Sequence, residues 1–507
     1  MMAGQTSNSA SDRIWIGVDI GGTFTDLVGI TGLGKIYTEK VLSSVNDYSE
    51  AIAVGVAAIL ERSNCKPEAV QEVVHATTVA TNAILEGKGA RTGLITTMGF
   101  RDVLDIRRSR RPDMYNIAWQ KPPVLVERYL RVEARERIGS RGDIVTPFDA
   151  VSARAAIETL KTQNVESIAV CFINSFANAA HEKDMAALIR ASFPGVSVSI
   201  SSEVLPEAKE YERTSTTCIN AYVRPVVERY LNNLVGRLRS VGIDAPLLTM
   251  QSNGGIMSAR TAAEKPIHIV ESGPAAGVIG AARLARQIGA SKAIAFDMGG
   301  TTAKAALIED GEVNLTVDLE VGAGLSAVSR LNKGGGYALS TPSVDVAEVG
   351  VGGGSIAWID ESKALRVGPH SAGAKPGPAC YNLGGERPTI TDANLLLGYL
   401  NPHHLVGGAL KLEGSKAEAA YARDISGPLG ISNAEAAFGV RSVANAAMAR
   451  AIRAVSTERG RDPRDAVLIA FGGNGPVHSV DLARALGMSQ VVIPPTPGVF
   501  SAFGLLQ

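Results

Sequence analysis

Val18-Asp19-Ile20-Gly21-Gly22-Thr23-Phe24-Thr25-Asp26 returns, altered, as Phe296-Asp297-Met298-Gly299-Gly300-Thr301-Thr302-Ala303-Lys304. Each copy follows an apolar run and leads into another. Each reads as strand, aspartate, Gly-Gly turn with Thr, strand. Glycine pairs supply the positive φ angles of a tight hairpin. With no side chains at the tip, turn N–H groups can meet phosphate oxygens. Thr23, Thr25, Thr301 and Thr302 can donate hydroxyls to the same oxygens. Asp19 and Asp297 fall where their strands end. A carboxylate beside a polyphosphate needs a cation between them, and Mg²⁺ suits one or two carboxylates plus phosphates and waters. A lone Asp-x-Gly-Gly-Thr could be only a turn. Two copies in matching contexts predict two lobes with a nucleoside triphosphate between them.

Other nucleotide motifs fail. Gly29 to Lys35 fits the G-x-x-x-x-G-K frame, but Ile36 stands where Ser or Thr must reach the metal. Gly322-Ala-Gly-Leu-Ser-Ala327 has two of the dinucleotide glycines and no clear βαβ frame.

The 507 residues suffice for two or more domains. With 50 Lys+Arg against 50 Asp+Glu there is no global footprint for nucleic acid. Arg107-Arg108-Ser109-Arg110-Arg111 is the one basic cluster, read as a solvated loop ahead of an anion or partner site. Cys65, Cys171, Cys218 and Cys380 lack C-x-x-C spacing, which points to a reducing, cytoplasmic compartment. No run is long enough to span a bilayer. Residues 1–12 read as a loose tail, not a signal peptide.

Strands and helices alternate through the first half, which predicts α/β architecture. Residues 107–150, rich in Arg and Pro, read as an excursion. Lys209 to Arg239 reads as helix broken near Pro225. Ser272-Gly273-Pro274 predicts a helix start with Ser as the cap. Ser432-x-x-Glu435 is a capping box opening a long helix that closes around Gly460. The late turn Gly472-Gly473-Asn474 lets a flat base pack on bare backbone and is assigned to the adenosine side, against the alternative of an ordinary strand-to-helix turn.

With these features in place, the chain resembles the actin-like ATPase superfamily and, within it, the hydantoinase A/5-oxoprolinase family. The carrying motifs are Asp-Ile-Gly-Gly-Thr-Phe-Thr-Asp (19–26), His75-Ala-Thr-Thr-Val-Ala-Thr-Asn82, Ser252-Asn-Gly-Gly255, Glu271-Ser-Gly-Pro-Ala-Ala-Gly277, Gly352-Gly-Gly-Ser-Ile356, Pro376-Gly-Pro-Ala-Cys-Tyr381, Thr391-Asp-Ala-Asn394 and Phe471-Gly-Gly-Asn-Gly-Pro-Val-His478. The resemblance implies a two-lobed, ribonuclease H-like fold, with an N-terminal domain over 13–200 and a core domain over 201–507. It implies ATP-dependent opening of cyclic amides, or ATP-dependent carboxylation of ketones in a related branch. It also implies a B-type partner subunit. Family chains continue past the segment resembling 494–504, so a C-terminal domain is expected to be absent here, and autonomous activity is put in question.

On this reading Asp19 and Asp297 hold Mg²⁺, and Gly21, Gly22, Gly299, Gly300 and the four threonines hold phosphate. Asp26 either orients its hairpin or acts as a base. His75 and Glu271 are candidates for acid–base work or substrate orientation, though a strand-end histidine reads equally well as structural. His478 reads as helix packing. A second metal on Asp345, Glu348, His370, Cys380 and Asp392 fits no standard zinc frame. A small-molecule kinase and a non-catalytic ATP switch are the rival classes.

Overall fold

The computed structural model describes residues 13–21, 24–43, 48–112, 115–322, 334–403, 408 and 410–507. Two sheets share one plan. In the first, Ile36–Leu42, Phe24–Thr31 and Ile14–Ile20 run antiparallel in that order; Val70–Thr77 and Leu247–Met250 follow in parallel, and Ile256–Ser258 closes the edge. In the second, Glu312–Val313, Ala303–Glu309 and Lys292–Met298 are antiparallel, followed in parallel by Val467–Phe471 and Val491–Val492. Val346–Val349 adds a further antiparallel partner to Ala303–Glu309. Each sheet therefore carries one of the two hairpins quoted above. Each leading strand is buried on both faces, as its unbroken apolar run requires.

A third, four-stranded parallel sheet is inserted in the first lobe, in the order Ser197–Ile200, Ser167–Cys171, Thr92–Thr97, Arg131–Ala134. Its last strand comes from the stretch expected to be an excursion. The boundary expected near residue 200 falls at the end of this sheet. From there the chain returns through one long helix, Glu210–Ser240, and completes the first sheet with Leu247–Met250. That helix is not broken at Pro225. A proline inside a helix costs about 3 kcal/mol. Burial of Val223, Val227, Tyr230, Leu231 and Leu234 on the same helix offsets that cost.

The helix Ser272–Gln287 lies between the two lobes. Its small residues Ala275, Ala276, Ala281 and Ala285 share one buried cluster with Val74, Ala76 and Met250 of the first sheet and Ala293, Ala295, Ile469 and Phe471 of the second. Phe500 of the short helix Phe500–Gly504 joins that cluster, its ring 4.9 Å from that of Phe471. No helix among the described residues is long and apolar enough to cross a membrane.

Candidate active site

The pleat places charged residues in rows across each hairpin. In the first lobe Asp19 pairs with Asp26, and Asp26 with Lys40. In the second, Asp297 pairs with Lys304, and Lys304 with Glu348. The two aspartates sense each other across the lobes. Burial pushes Asp19 up to about 7, helped by repulsion from Asp26 and Asp297 and opposed by Lys304 and Lys40. Burial likewise raises Asp297 to about 6, with Lys304 opposing and Asp26 adding repulsion. Both residues remain partly open to solvent. They form a pair of mutually repelling anions that a cation would relieve.

Lys304 is the positive centre of the second row. Its ammonium lies 3.1 Å from Glu271 Oε2 and 3.5 Å from Glu348 Oε1. Burial works against its charge, but Glu271 and Glu348 hold its pKa well above the ordinary lysine value. Glu271 reaches this place because its backbone is left-handed, with φ 64°. It is the residue just before the helix Ser272–Gln287, and its N–H meets Thr81 Oγ1 at 3.4 Å. Ser272 is therefore not the cap that was expected. Its hydroxyl instead accepts from Thr77 N at 3.1 Å and donates to Thr77 O at 3.2 Å, pinning the helix start to the end of a first-lobe strand.

Two glycines give the aspartates room. A Cβ on Gly273 would lie 2.9 Å from Asp19 Oδ1, and one on Gly472 only 2.2 Å from Asp297 Oδ1. Gly472 also has φ 81°. The late turn thus sits against the second hairpin: Asn474 N–H donates to Met298 O at 2.9 Å, and its side-chain amide to Gly299 O at 3.3 Å. Gly473 faces open space. Gly299 N–H closes the turn on Thr302 O, and Gly300 and Thr301 stay exposed at its tip. Gly21 N–H closes the first turn on Phe24 O in the same way. Gly22 and Thr23 lie outside the described residues.

Other expected site residues have their polar groups engaged within the protein. Thr25 is fully buried and its hydroxyl pairs with Ser43 Oγ at 3.0 Å, because its position in the strand points it inward. Thr302 lies beside the Glu348 carboxylate and favours its charged form, against burial. Asp26 is ion-paired with Lys40, whose ammonium also donates to Gly498 O at 3.0 Å. His75 is fully buried with both nitrogens engaged: Nδ1–H donates to Val18 O at 3.2 Å, so Nε2 accepts from Tyr230 OH at 2.7 Å. Burial pushes its pKa down to about 4, so it is a neutral structural group.

The residues considered for a second metal do not converge. Asp345 pairs with Arg459, Glu348 with Lys304, and His370 is exposed. Asp392 caps a helix, accepting from the N–H groups of Cys380 at 2.7 Å and Thr389 at 2.9 Å. Among the described residues no three His, Cys, Asp or Glu side chains could cage a metal ion. Mg²⁺ does not need such a cage, since phosphates and waters complete its shell. Asp19 and Asp297 fit that requirement. Sequence reasoning missed Lys304 and Lys40. The signal for Lys304 was present, because it stands in the second repeat where Asp26 stands in the first.

Two lobes with one strand order, each carrying an Asp-Gly-Gly-Thr hairpin, define the two-lobed α/β fold class of the actin-like ATPases. The match is closer still. A family model described as Hydantoinase/oxoprolinase matches residues 213–507, and one for the N-terminal region of the same family matches residues 15–193. The chain belongs to the hydantoinase/oxoprolinase family. It is 44% identical over 97% of its length to an uncharacterized protein of Methanocaldococcus jannaschii, covering 72% of that protein. It is 38% identical over 96% of its length to caprolactamase subunit alpha of Pseudomonas jessenii, covering 69% of it. The crystal structure of that ATP-dependent caprolactamase superposes with a TM-score of 0.83 at 37% identity, with 97% of this chain and 70% of that one covered. The nucleotide-free structure of acetone carboxylase superposes with a TM-score of 0.84 at 28% identity, with the same coverage.

Proposed function

We propose that this chain is the ATP-binding subunit of an enzyme that opens a cyclic amide with ATP. One observation carries the reading: equivalent hairpins of opposite lobes bring Asp19, Asp297 and Lys304 close enough to interact electrostatically. Such a site favours a divalent cation together with a polyphosphate. Kinship to an ATP-dependent caprolactamase supports a lactam, hydantoin or 5-oxoproline as the second substrate.

Asp19 and Asp297 would hold Mg²⁺ through its waters, with the exposed Gly299–Thr302 tip meeting phosphate. ATP would supply a phosphoryl group to the amide oxygen; water then adds to the carbonyl carbon, the C–N bond breaks with the ring nitrogen leaving as the protonated amine, and a second water releases phosphate from the resulting acyl phosphate. Lys304, charged and held by two carboxylates, neutralises anionic charge at the cleft. Asp26 and Lys40 fix the first hairpin. The Gly472–Asn474 turn offers bare backbone for the adenosine. A complementary, B-type subunit supplies the surface where ring opening is completed; the relative's designation as a subunit alpha supports this. The four unpaired cysteines support a cytoplasmic location.

A second reading is ATP-dependent carboxylation of a ketone, favoured by the fit to acetone carboxylase. Both use phosphoryl activation of an oxygen. One screen separates them: ATP turnover with hydantoins, 5-oxoproline, larger lactams, and ketones plus bicarbonate, each with and without the complementary subunit. The expected result is ADP and phosphate in step with an opened ring. A lasting phosphorylated metabolite would indicate a kinase, and turnover indifferent to every small molecule would indicate an ATP switch.

A further inference from the structure

Two motifs have no place in the site described above: Thr391-Asp-Ala-Asn394 and the His478 that ends Phe471-Gly-Gly-Asn-Gly-Pro-Val-His478. The structure joins them. His478 lies in the first turn of the helix Gly475–Leu486 and is fully buried. Its Nδ1 is 2.7 Å from Asn445 Oδ1, an atom that can only accept, so Nδ1 carries the proton. Nε2 is then the acceptor for the Asn394 side-chain amide, at 3.0 Å. Asn394 Oδ1 accepts in turn from Arg441 at 2.7 Å, and Arg441 also donates to Val477 O at 2.7 Å and to Asp481. The chain links three helices: Ile390–Leu396, Asn433–Val455 and Gly475–Leu486.

The same helices reach the second hairpin. Thr391 donates both its N–H and its hydroxyl to Gly353 O, each at 2.8 Å, and Gly353 N–H donates to Gly299 O at 3.0 Å. Asn474, at the head of the His478 helix, also bonds Gly299 O. A Cβ on Gly353 would lie 2.5 Å from Asn474 Nδ2 and 2.9 Å from Thr391 Oγ1. A closed ring of contacts therefore runs from Gly299 through Gly353 and Thr391 to Asn394, then through His478 and its helix to Asn474, and back to Gly299.

We infer that His478 and Asn394 are positioning residues that hold the Gly472–Asn474 turn in register with the Gly299–Thr302 hairpin, and so set affinity for the whole nucleotide. Neither touches the nucleotide. This rests on the reading that ATP lies between that turn and that hairpin. The His478 ring remains neutral through the ordinary pH range, because burial and the neighbouring Arg441 push its pKa down to about 3. The bond pattern therefore does not change with pH.

The test is calorimetric binding of Mg·ATP and Mg·ADP to the full chain, with KM and kcat for ATP measured in the reconstituted enzyme. His478→Ala removes the imidazole partner of the Asn394 amide N–H and of the Asn445 amide oxygen and is expected to weaken ATP binding roughly tenfold, the size of a lost buried hydrogen-bond pair. The loss should appear in KM, with kcat little changed. His478→Gln, which keeps one donor and one acceptor, should recover most of it. If His478→Ala does not fold, Asn394→Asp is the second variant: it is isosteric and faces the Nε2 lone pair with a carboxylate. It should make ATP affinity pH-dependent, stronger where the imidazole is protonated. Wild-type affinity in folded His478→Ala, or pH-independent affinity in Asn394→Asp, would overturn the inference. Absence of nucleotide binding by the wild type would overturn the functional reading and this one with it.

Discussion

Asp26 and Lys304 occupy the same place in the two hairpins: Asp26 pairs directly with Asp19, and Lys304 directly with Asp297. Each stands seven positions after its aspartate, 19 to 26 and 297 to 304. The backbone plan is duplicated and the charge is reversed. The first row ends in a positive group, Lys40; the second carries its positive group in the centre, flanked by Asp297 and Glu348. This asymmetry places the two lysines differently: Lys40 is paired with Asp26 on the first hairpin, and Lys304 lies against Glu271 and Glu348 on the second.

Lys304→Met should therefore cut ATP turnover by about 100-fold, the scale of removing one well-placed electrostatic group. Lys304→Arg should restore part of it. Steady-state ADP release with the activating substrate measures this. Unchanged turnover in the Met variant would show that the cleft does not use this charge.

Stability should fall as pH rises through the range set by the aspartates. Asp19 and Asp297 are raised from an ordinary 3.8 to about 7 and about 6. Between these limits the folded protein keeps protons that the unfolded chain has released. With more protons bound to the native state, stability decreases with increasing pH. Asp19→Asn should flatten this slope and raise the melting temperature above pH 7 by roughly 1–3 °C, while abolishing turnover. Added Mg²⁺ should stabilise the wild type and not the variant. Matching pH slopes in thermal scans of the two proteins would contradict the electrostatic assignment.

Gly472 and Gly473 should respond differently to one methyl group. Gly473 has open space, so Gly473→Ala should change stability little. Gly472 has φ 81°, and a methyl group on it would stand 2.2 Å from the Asp297 carboxylate. Gly472→Ala should cost about 1–3 kcal/mol and displace Asp297. Urea unfolding of both variants reads the difference directly, and equal midpoints would count against the described contact.

His75→Leu should act on stability alone. It removes the imidazole bonds to the Tyr230 hydroxyl and the Val18 carbonyl, at a cost of about 1–3 kcal/mol. The pH–rate profile of the surviving activity should be that of the wild type. A missing limb in that profile would return His75 to the list of acid–base groups.

The features legible in the sequence are those fixed by neighbours in the chain. The two hairpins follow from local turn chemistry. The capping box at Ser432 and Glu435 forms as its spacing requires, and Gly460 is left-handed after the helix. What escaped notice depends on distant pairing. His75 is structural because Tyr230, 155 residues away, meets it. Thr25 is turned inward by strand alternation and its hydroxyl meets Ser43, 18 residues away. Leu247–Met250 belongs to the first sheet although a whole inserted sheet separates it from its partner strand Val70–Thr77. Gly352, Gly353 and Gly354 stand in the sequence only as one of the motifs of the family resemblance, yet Gly353 and Gly354 donate to the carbonyls of Gly299 and Gly300 and brace the second turn. None of these pairings has a signature within its own segment.

The most direct test of phosphoryl activation follows one oxygen atom. A cyclic amide that the enzyme turns over is prepared with heavy oxygen in its carbonyl, and the products of ATP-driven ring opening are examined by mass spectrometry. The expected result is label in the released phosphate, formed by this chain with its complementary subunit and lost with Asp297→Asn. Full retention of the label in the new carboxylate, with unlabelled phosphate and no acyl phosphate captured as a hydroxamate when hydroxylamine is present, would contradict activation of the carbonyl by ATP at this site.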